Sequence, residues 1–268
     1  MNILFLTNNL QKKNGWATVG KNIIYNLDSQ VFQTFTSESK LSLSFNKSSL
    51  KSEILYNYGY LPALIDFIII FINLKKKPDI VHCNIELFAP LAFLISKFYK
   101  IPYTVTVHGT YGLLPKKKWS YSHSFKNASR LICVSNFTKN RLVEEGVIGE
   151  YEVIISGVNK NIFKSQELFN KENIILFVGN YKKRKGFDFL LEALILLKND
   201  LSDFTLYFVG NINFNSLDHI KYSKIAAKHK INIKYFNNVT DTQLVQIYNK
   251  AKLNILPSFS SRYNFEGF

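Results

Sequence analysis

Ile174–Leu197 reads IILFVGNYKKRKGFDFLLEALILL, and the rest of the chain is arranged around it. The stretch opens as an apolar strand, Ile174 to Val178, and breaks at Gly179. A cationic turn follows, Lys182-Lys183-Arg184-Lys185-Gly186. Apolar residues then recur at Phe187, Leu190, Leu191, Leu194 and Leu197, a helical spacing. A strand that feeds a loop and then a helix N-terminus forms a natural anion site. Loop amides and the helix dipole face the ligand, and the cations add charge. The turn is therefore expected to grip a phosphate or diphosphate.

Outward from this stretch the same strand-and-helix rhythm runs in both directions. On the N-terminal side, Asn2 to Leu6 reads as a strand, Thr7 to Trp16 as a loop with Gly15 near its end, and Thr18 to Leu27 as a helix. Gly15 would let the backbone approach a ligand, or would simply serve a turn. G-x-G-x-x-G is missing from this first unit, so the dinucleotide fingerprint is absent. Strands are expected at 31–35, 80–83, 103–107, 131–134 and 151–155, and a short one at 53–56. The segment 37–52 reads as a loop. Helices are expected at 61–75, 90–99 and 137–145, with Ser135-Asn136 as a cap. His108-Gly109 ends the strand YTVTV, where ligands gather in parallel sheets; His108 would bond a sugar or phosphate there, or be satisfied by neighbouring backbone. On the C-terminal side, strands are expected at 205–209, 231–236 and 253–256, with helices at 217–229 and 240–250.

The polar stretch Lys160 to Glu172 is the best linker. Two runs of alternating strand and helix separated by a linker imply an α/β chain of two Rossmann-like domains facing a cleft, residues 1–160 and 161–268.

Lys and Arg number 34 against 19 Asp and Glu, a formal charge of +15, which suggests an anionic partner. The lysines are scattered and no nucleic-acid motif accompanies them, which disfavours a nucleic-acid partner. Cys83 and Cys133 sit in apolar strands and suggest neither a zinc site nor a disulfide framework, so a cytoplasmic setting is the default. The run Leu61–Leu74, LPALIDFIIIFINL, is shorter than the roughly 20 residues that span a bilayer and contains Asp66, so a buried helix is expected. Lys75-Lys76-Lys77 after it keeps a membrane-surface role open, as do Trp16, a basic loop at Lys116 to Lys118, and Trp119.

Several motifs, in order, resemble a retaining glycosyltransferase of family 4, with the GT-B fold. They are Pro78-Asp79-Ile80-Val81-His82, Val107-His108-Gly109, Val134-Ser135-Asn136, Ile155-Ser156-Gly157-Val158-Asn159, Phe177-Val178-Gly179 through Lys185-Gly186, and Leu256-Pro257-Ser258 through Glu266-Gly267-Phe268. The resemblance implies transfer of a sugar from a nucleotide-diphosphate donor to a glycan or lipid-linked hydroxyl, with retention, in surface polysaccharide or lipopolysaccharide synthesis.

By the same resemblance Lys185 contacts the donor diphosphate within its K-G pair with Gly186. Arg184 replaces the Arg that the family often carries after the strand glycine, where Asn180 stands here. Gly15 matches a first-loop glycine, with Asn14 in place of its usual glycine partner. His108 and Glu266 match residues near the donor sugar. No cofactor or metal is implied, since the nucleotide-sugar is a substrate and no Asp-x-Asp is present.

The second Glu of the family's E-x7-E pattern falls beyond Phe268. The resemblance therefore leads us to expect an incomplete second domain and a C-terminally truncated chain. Alternatives remain a non-catalytic remnant of such an enzyme and another nucleotide-sugar enzyme on the same fold, such as an epimerase. Peripheral contact at the inner face of the cytoplasmic membrane is an addition to the transferase reading.

Overall fold

A computed structural model describes residues 1–8, 10, 15–26, 32–36, 59–165, 170–200, 203–261 and 265–267, with backbone only for 32–36. The expected loop 37–52 and strand 53–56 lie outside these residues, as do Asn14 and Phe268. Two units are present: Met1–Ser156 with Gly267–Phe268, and Gly157–Glu266.

Among the described residues the first unit carries six strands: β1 (Ile3–Thr7), β2 (Phe32–Thr36), β3 (Ile80–Cys83), β4 (Tyr103–Val107), β5 (Arg130–Cys133) and β6 (Tyr151–Val153). All neighbours pair parallel, in the order β2-β1-β3-β4-β5-β6. Every residue of β1 is buried. That is why it reads as one apolar run: in a parallel sheet covered on both faces, alternation has no exposed side to mark. The order reverses between β1 and β3, the kind of position beyond whose carboxyl ends open parallel sheets collect ligands.

The unit's helices are α1 (Gly15–Asn26), α2 (Tyr60–Asn73), α3 (Ala89–Tyr99), α4 (Trp119–Lys126) and α5 (Asn136–Glu144). Pro90 occupies the first turn of α3, where its missing N–H costs nothing. Ser135 caps α5 by accepting from the Thr138 amide at 3.0 Å.

Two expectations fail here. Helix α2 is not buried, because only Ala63 and Ile70 are withdrawn from solvent while Leu61 and Ile72 are 76% and 73% exposed. Mean hydropathy cannot reveal this, since an all-apolar helix predicts burial on every side. Nor is 116–119 a free basic loop. A 3-10 turn, Thr110–Lys116, runs into it, and Trp119 begins α4, which sequence reading missed. Tyr121 and Phe125 are the buried aromatic residues of that helix, with Ser124 buried between them; its other positions are polar enough to hide the period.

The second unit carries β7 (Glu172–Val178), β8 (Thr205–Gly210), β9 (Ile233–Asn237) and β10 (Ala251–Asn254), all parallel, in the order β10-β7-β8-β9. Its helices are α6 (Phe187–Leu196), α7 (Leu217–Lys228) and α8 (Asp241–Lys250). Successive residues of β7 serve opposite faces, as strand geometry requires. Ile175 and Phe177 join Phe187, Leu190, Leu191 and Leu194 of α6 in one core layer, while Ile174 and Leu176 join Ile247 of α8 in the other. Leu197, expected on the apolar stripe, is 45% exposed past the end of α6. Among the described residues no helix is long and apolar enough to cross a membrane.

Candidate functional site

The cationic turn lies at the carboxyl end of β7, where the strand order reverses between β7 and β10. This is the position at which open parallel sheets collect ligands. Lys183–Lys185 forms one 3-10 turn, and Gly186 follows at φ +68° as the N-cap of α6. A positive φ is cheap only for glycine. Gly186 also packs against the Pro257 carbonyl, whose oxygen a Cβ would overlap. Two independent constraints thus hold this glycine. No side chain caps α6 from Gly186, so the first-turn amides keep their capacity to bind an anion.

The turn is tied down from the segment after β10. The Phe259 amide donates to the Arg184 carbonyl at 2.9 Å, and Phe189 and Phe259 meet edge to face at 5.5 Å. Arg184 and Lys185 converge on Oε1 of Glu266; the Lys185 ammonium lies 3.2 Å away. All three side chains are largely enclosed, at 23%, 19% and 14% exposure. Partial burial, and then the Arg184 charge, lower the Lys182 ammonium below its ordinary value, while Glu266 acts in the opposite direction. Two cations facing one carboxylate oxygen, with a third cation close enough to feel them, make a pocket with spare positive charge. The arrangement offers a phosphate a bidentate Arg donor, a Lys point charge and first-turn amides that no side chain caps.

The first unit assembles a different set of groups at its own switch point. Asn84, just past β3, is fully buried. Its amide Nδ2 donates to the Thr7 hydroxyl at 3.0 Å and to the Trp16 carbonyl at 2.9 Å, and its backbone N–H donates to the Leu6 carbonyl at 2.9 Å. Its own carbonyl accepts from His108 Nε2 at 2.7 Å. Gly20 of α1 packs so closely on Asn84 that a Cβ would lie 2.8 Å from Nδ2. Sequence reading missed both residues. The available signal was a polar residue one step past an apolar strand.

His108 is held by backbone through Nε2, and burial keeps its ring below its ordinary pKa. With Nε2–H donated to Asn84, Nδ1 carries the lone pair and can accept from a hydroxyl. Beside it Glu86 is fully buried. Burial pushes its carboxyl up to about 7, although the amides of Glu86, His108 and Gly109 bond to it and pull the other way. Gly267, grouped with this unit, backs His108: a Cβ there would overlap the His108 carbonyl oxygen. The Gly267 carbonyl accepts from the hydroxyls of Ser135 and Thr138, the latter at 2.8 Å.

Gly15 heads α1 rather than ending a loop, and among the described residues nothing lies within 4 Å of where its Cβ would be. The patch of Trp16, Lys116–Lys118 and Trp119 is only partly exposed. Trp16 is half-buried against Tyr111 at 5.7 Å, and Lys116 pairs with buried Glu145 at 2.7 Å.

Two family models match the chain one after the other: Glycosyltransferase Family 4 over residues 40–161 and Glycosyl transferases group 1 over residues 158–268. An uncharacterized glycosyltransferase of Methanocaldococcus jannaschii is 27% identical over 180 residues, covering 65% of this chain and 46% of that protein. The chain thus spans about half the length of that relative. Among solved structures, sucrose-phosphate synthase from Thermosynechococcus elongatus aligns with a TM-score of 0.74 at 16% identity, over 100% of this chain and 77% of that one. The Anabaena protein HepE, solved in complex with UDP, aligns with a TM-score of 0.66 at 15% identity, over 97% of this chain and 75% of that one. These likenesses establish the fold. With the two consecutive family matches and two parallel α/β units, they place the chain in the GT-B glycosyltransferase superfamily.

Proposed function

We propose that the protein transfers a sugar from a nucleotide-diphosphate donor to a hydroxyl of a glycan or lipid-linked acceptor, with retention, in the synthesis of surface polysaccharide or lipopolysaccharide. The observation that carries this reading is the cationic turn at the β7/β10 switch point, beside the uncapped N-terminus of α6. In the proposed reaction the bond from the anomeric carbon to the diphosphate breaks, and a bond to the acceptor oxygen forms on the same face. The acceptor proton passes to a phosphate oxygen of the leaving group. Negative charge grows on that diphosphate, so donors already aimed at it stabilise the transition state more than the ground state. Arg184, Lys185 and the first-turn amides of α6 fill this role, and the reading assigns no step to a metal. Glu266, now seated on the two cations, yields them to the phosphate and turns toward the sugar. His108 Nδ1 accepts from a sugar hydroxyl, and Gly15 leaves room for the donor.

The UDP bound to Anabaena HepE nominates uridine diphosphate as the first probe. Peripheral contact with an anionic membrane, from the cytoplasmic side, belongs to the same reading, because it brings the chain to a lipid-linked acceptor. Calorimetric titration of the chain with UDP and UDP-sugars tests the donor site. Arg184→Ala and Lys185→Ala are each expected to weaken binding at least ~10-fold, and Lys185→Ala to slow transfer by a similar factor. Saturable binding that neither substitution changes would remove the turn from the donor site. Absence of any nucleotide binding would favour the non-catalytic remnant.

A further inference from the structure

Helix α2 turns an unbroken apolar stripe toward solvent. Leu61, Leu64, Ile65, Ile68 and Ile72 are 76%, 47%, 43%, 50% and 73% exposed. At about 100° per residue they fall within an arc of about 100°. The opposite side of the helix supplies the buried residues Ala63 and Ile70. A surface helix ordinarily gives its outer face to polar side chains. Here the outer face is as apolar as the inner one, and the polar residues Asp66 and Asn73 lie off the stripe.

The stripe is extended at one flank and marked at both ends. Phe71 meets Phe98 of α3 at 5.4 Å, and both are more than half exposed. At the N-terminal end Trp119, 71% exposed, packs on Tyr60 at 5.5 Å. At the C-terminal end the helix runs straight into exposed Lys75, Lys76 and Lys77.

We propose that this outer face of α2 lies in the surface of an anionic lipid bilayer, its apolar stripe in the acyl boundary and its lysine run among the headgroups. The proposal deepens the membrane part of the reading above and does not depend on sugar transfer. Three properties select this occupant. A 14-residue helix is about 21 Å long, too short to cross a bilayer core, so it suits an orientation parallel to the surface. The apolar stripe and the adjoining cations match the two layers such a surface offers, and an exposed Trp at one end suits the interface. A second copy fits less well, because each chain carries +15 and would bring a like-charged Lys run to the contact.

The test is co-sedimentation of the full chain with phosphatidylglycerol–phosphatidylethanolamine vesicles and with phosphatidylcholine vesicles. It is run for the wild type, the double variant Ile65→Asp/Ile68→Asp, and the triple variant Lys75→Glu/Lys76→Glu/Lys77→Glu. Urea unfolding and UDP titration accompany each. Wild type is expected to prefer the anionic vesicles. The triple variant should bind them at least ~100-fold more weakly, and the double variant at least ~10-fold more weakly, with unfolding midpoints and UDP affinity unchanged. Equal binding by all three proteins would overturn the proposal. So would a lowered unfolding midpoint in the double variant without a change in vesicle binding, because the stripe would then be closed by the chain itself. Concentration-dependent dimerisation that the double variant abolishes, with no vesicle binding, would assign the face to a second copy and equally overturn it. Vesicle binding that persists while UDP fails to bind would refute the donor site and leave this surface standing.

Discussion

Replacing Glu86 by Gln should make the protein's stability less sensitive to alkaline pH. Glu86 begins the short turn ahead of α3 and is fully buried. Its Oε2 lies 3.5 Å from the His108 amide, a long contact that compensates little for lost hydration. Burial therefore wins over the amide bonds and lifts the carboxyl from 4.5 to about 7. A folded value above the unfolded one means that the protonated form is favoured by folding. The contribution is fully present below pH 4.5 and is lost as pH rises through about 7. At ~1.4 kcal/mol for each tenfold change in proton affinity, the loss approaches about 3 kcal/mol at pH 9. Gln keeps an acceptor oxygen for the same amides and removes the charge.

The assay is urea unfolding of both proteins from pH 5 to pH 9. The Glu86→Gln variant should match or slightly trail wild type at pH 5 and gain about 3 kcal/mol on it by pH 9. Other buried groups act elsewhere. Burial lowers His82 to about 4, with His108 adding to the effect, and burial lowers His108 too; both therefore cost stability as pH falls below 6.5, in both proteins alike. Burial pushes the Cys133 thiol up to about 12, so its contribution begins to be lost only as pH reaches its ordinary value of 9.0, at the upper end of the assay and in both proteins alike. Parallel curves from pH 5 to pH 9 would refute the reasoning, because they would mean that the Glu86 carboxylate costs nothing where it sits.

Gly186→Ala should destabilise the second unit by about 2 kcal/mol or more, since it combines a positive φ with a collision against backbone at Pro257; urea unfolding measures the loss. The same substitution should weaken UDP binding, because the turn that carries Arg184 and Lys185 ends on this residue. Thr240→Ala should cost about 1 kcal/mol. It removes the hydroxyl that accepts from the Gln243 amide at 3.2 Å and half of the capping box of α8. Unfolding by urea, with no change in nucleotide affinity, checks that this loss is purely local.

Much of the architecture could be read without coordinates. The β7–turn–α6 unit needs only neighbours in the chain: an apolar strand, a glycine with positive φ, and residues at helical spacing. Ser135 was legible as a cap because a cap bonds an amide three residues away. Arg184, Lys185 and Glu266 were expected to serve one site, and the structure brings all three to one point. It also gives the geometric reason for Gly186 and Gly267, which are glycines because backbone carbonyls press on them. Helix α4 was not legible, because Tyr121 and Phe125 are too few to set a period among polar neighbours.

By itself the sequence determined what depends on chain neighbours: most of the strands and helices (though not α4), the cap at Ser135, and which turn carries concentrated positive charge. The tertiary structure decided what depends on partners distant in the chain. Strand order put the turn at the β7/β10 reversal and brought Asn84 beside Thr7, Trp16 and His108. Packing left one apolar side of α2 to solvent while burying the other. The physical reason is the same in each case. Hydrophobic pattern and propensity are local and report that a side chain suits burial or a helix, whereas the neighbour that buries it, or the ligand that it faces, is set only when the chain closes on itself.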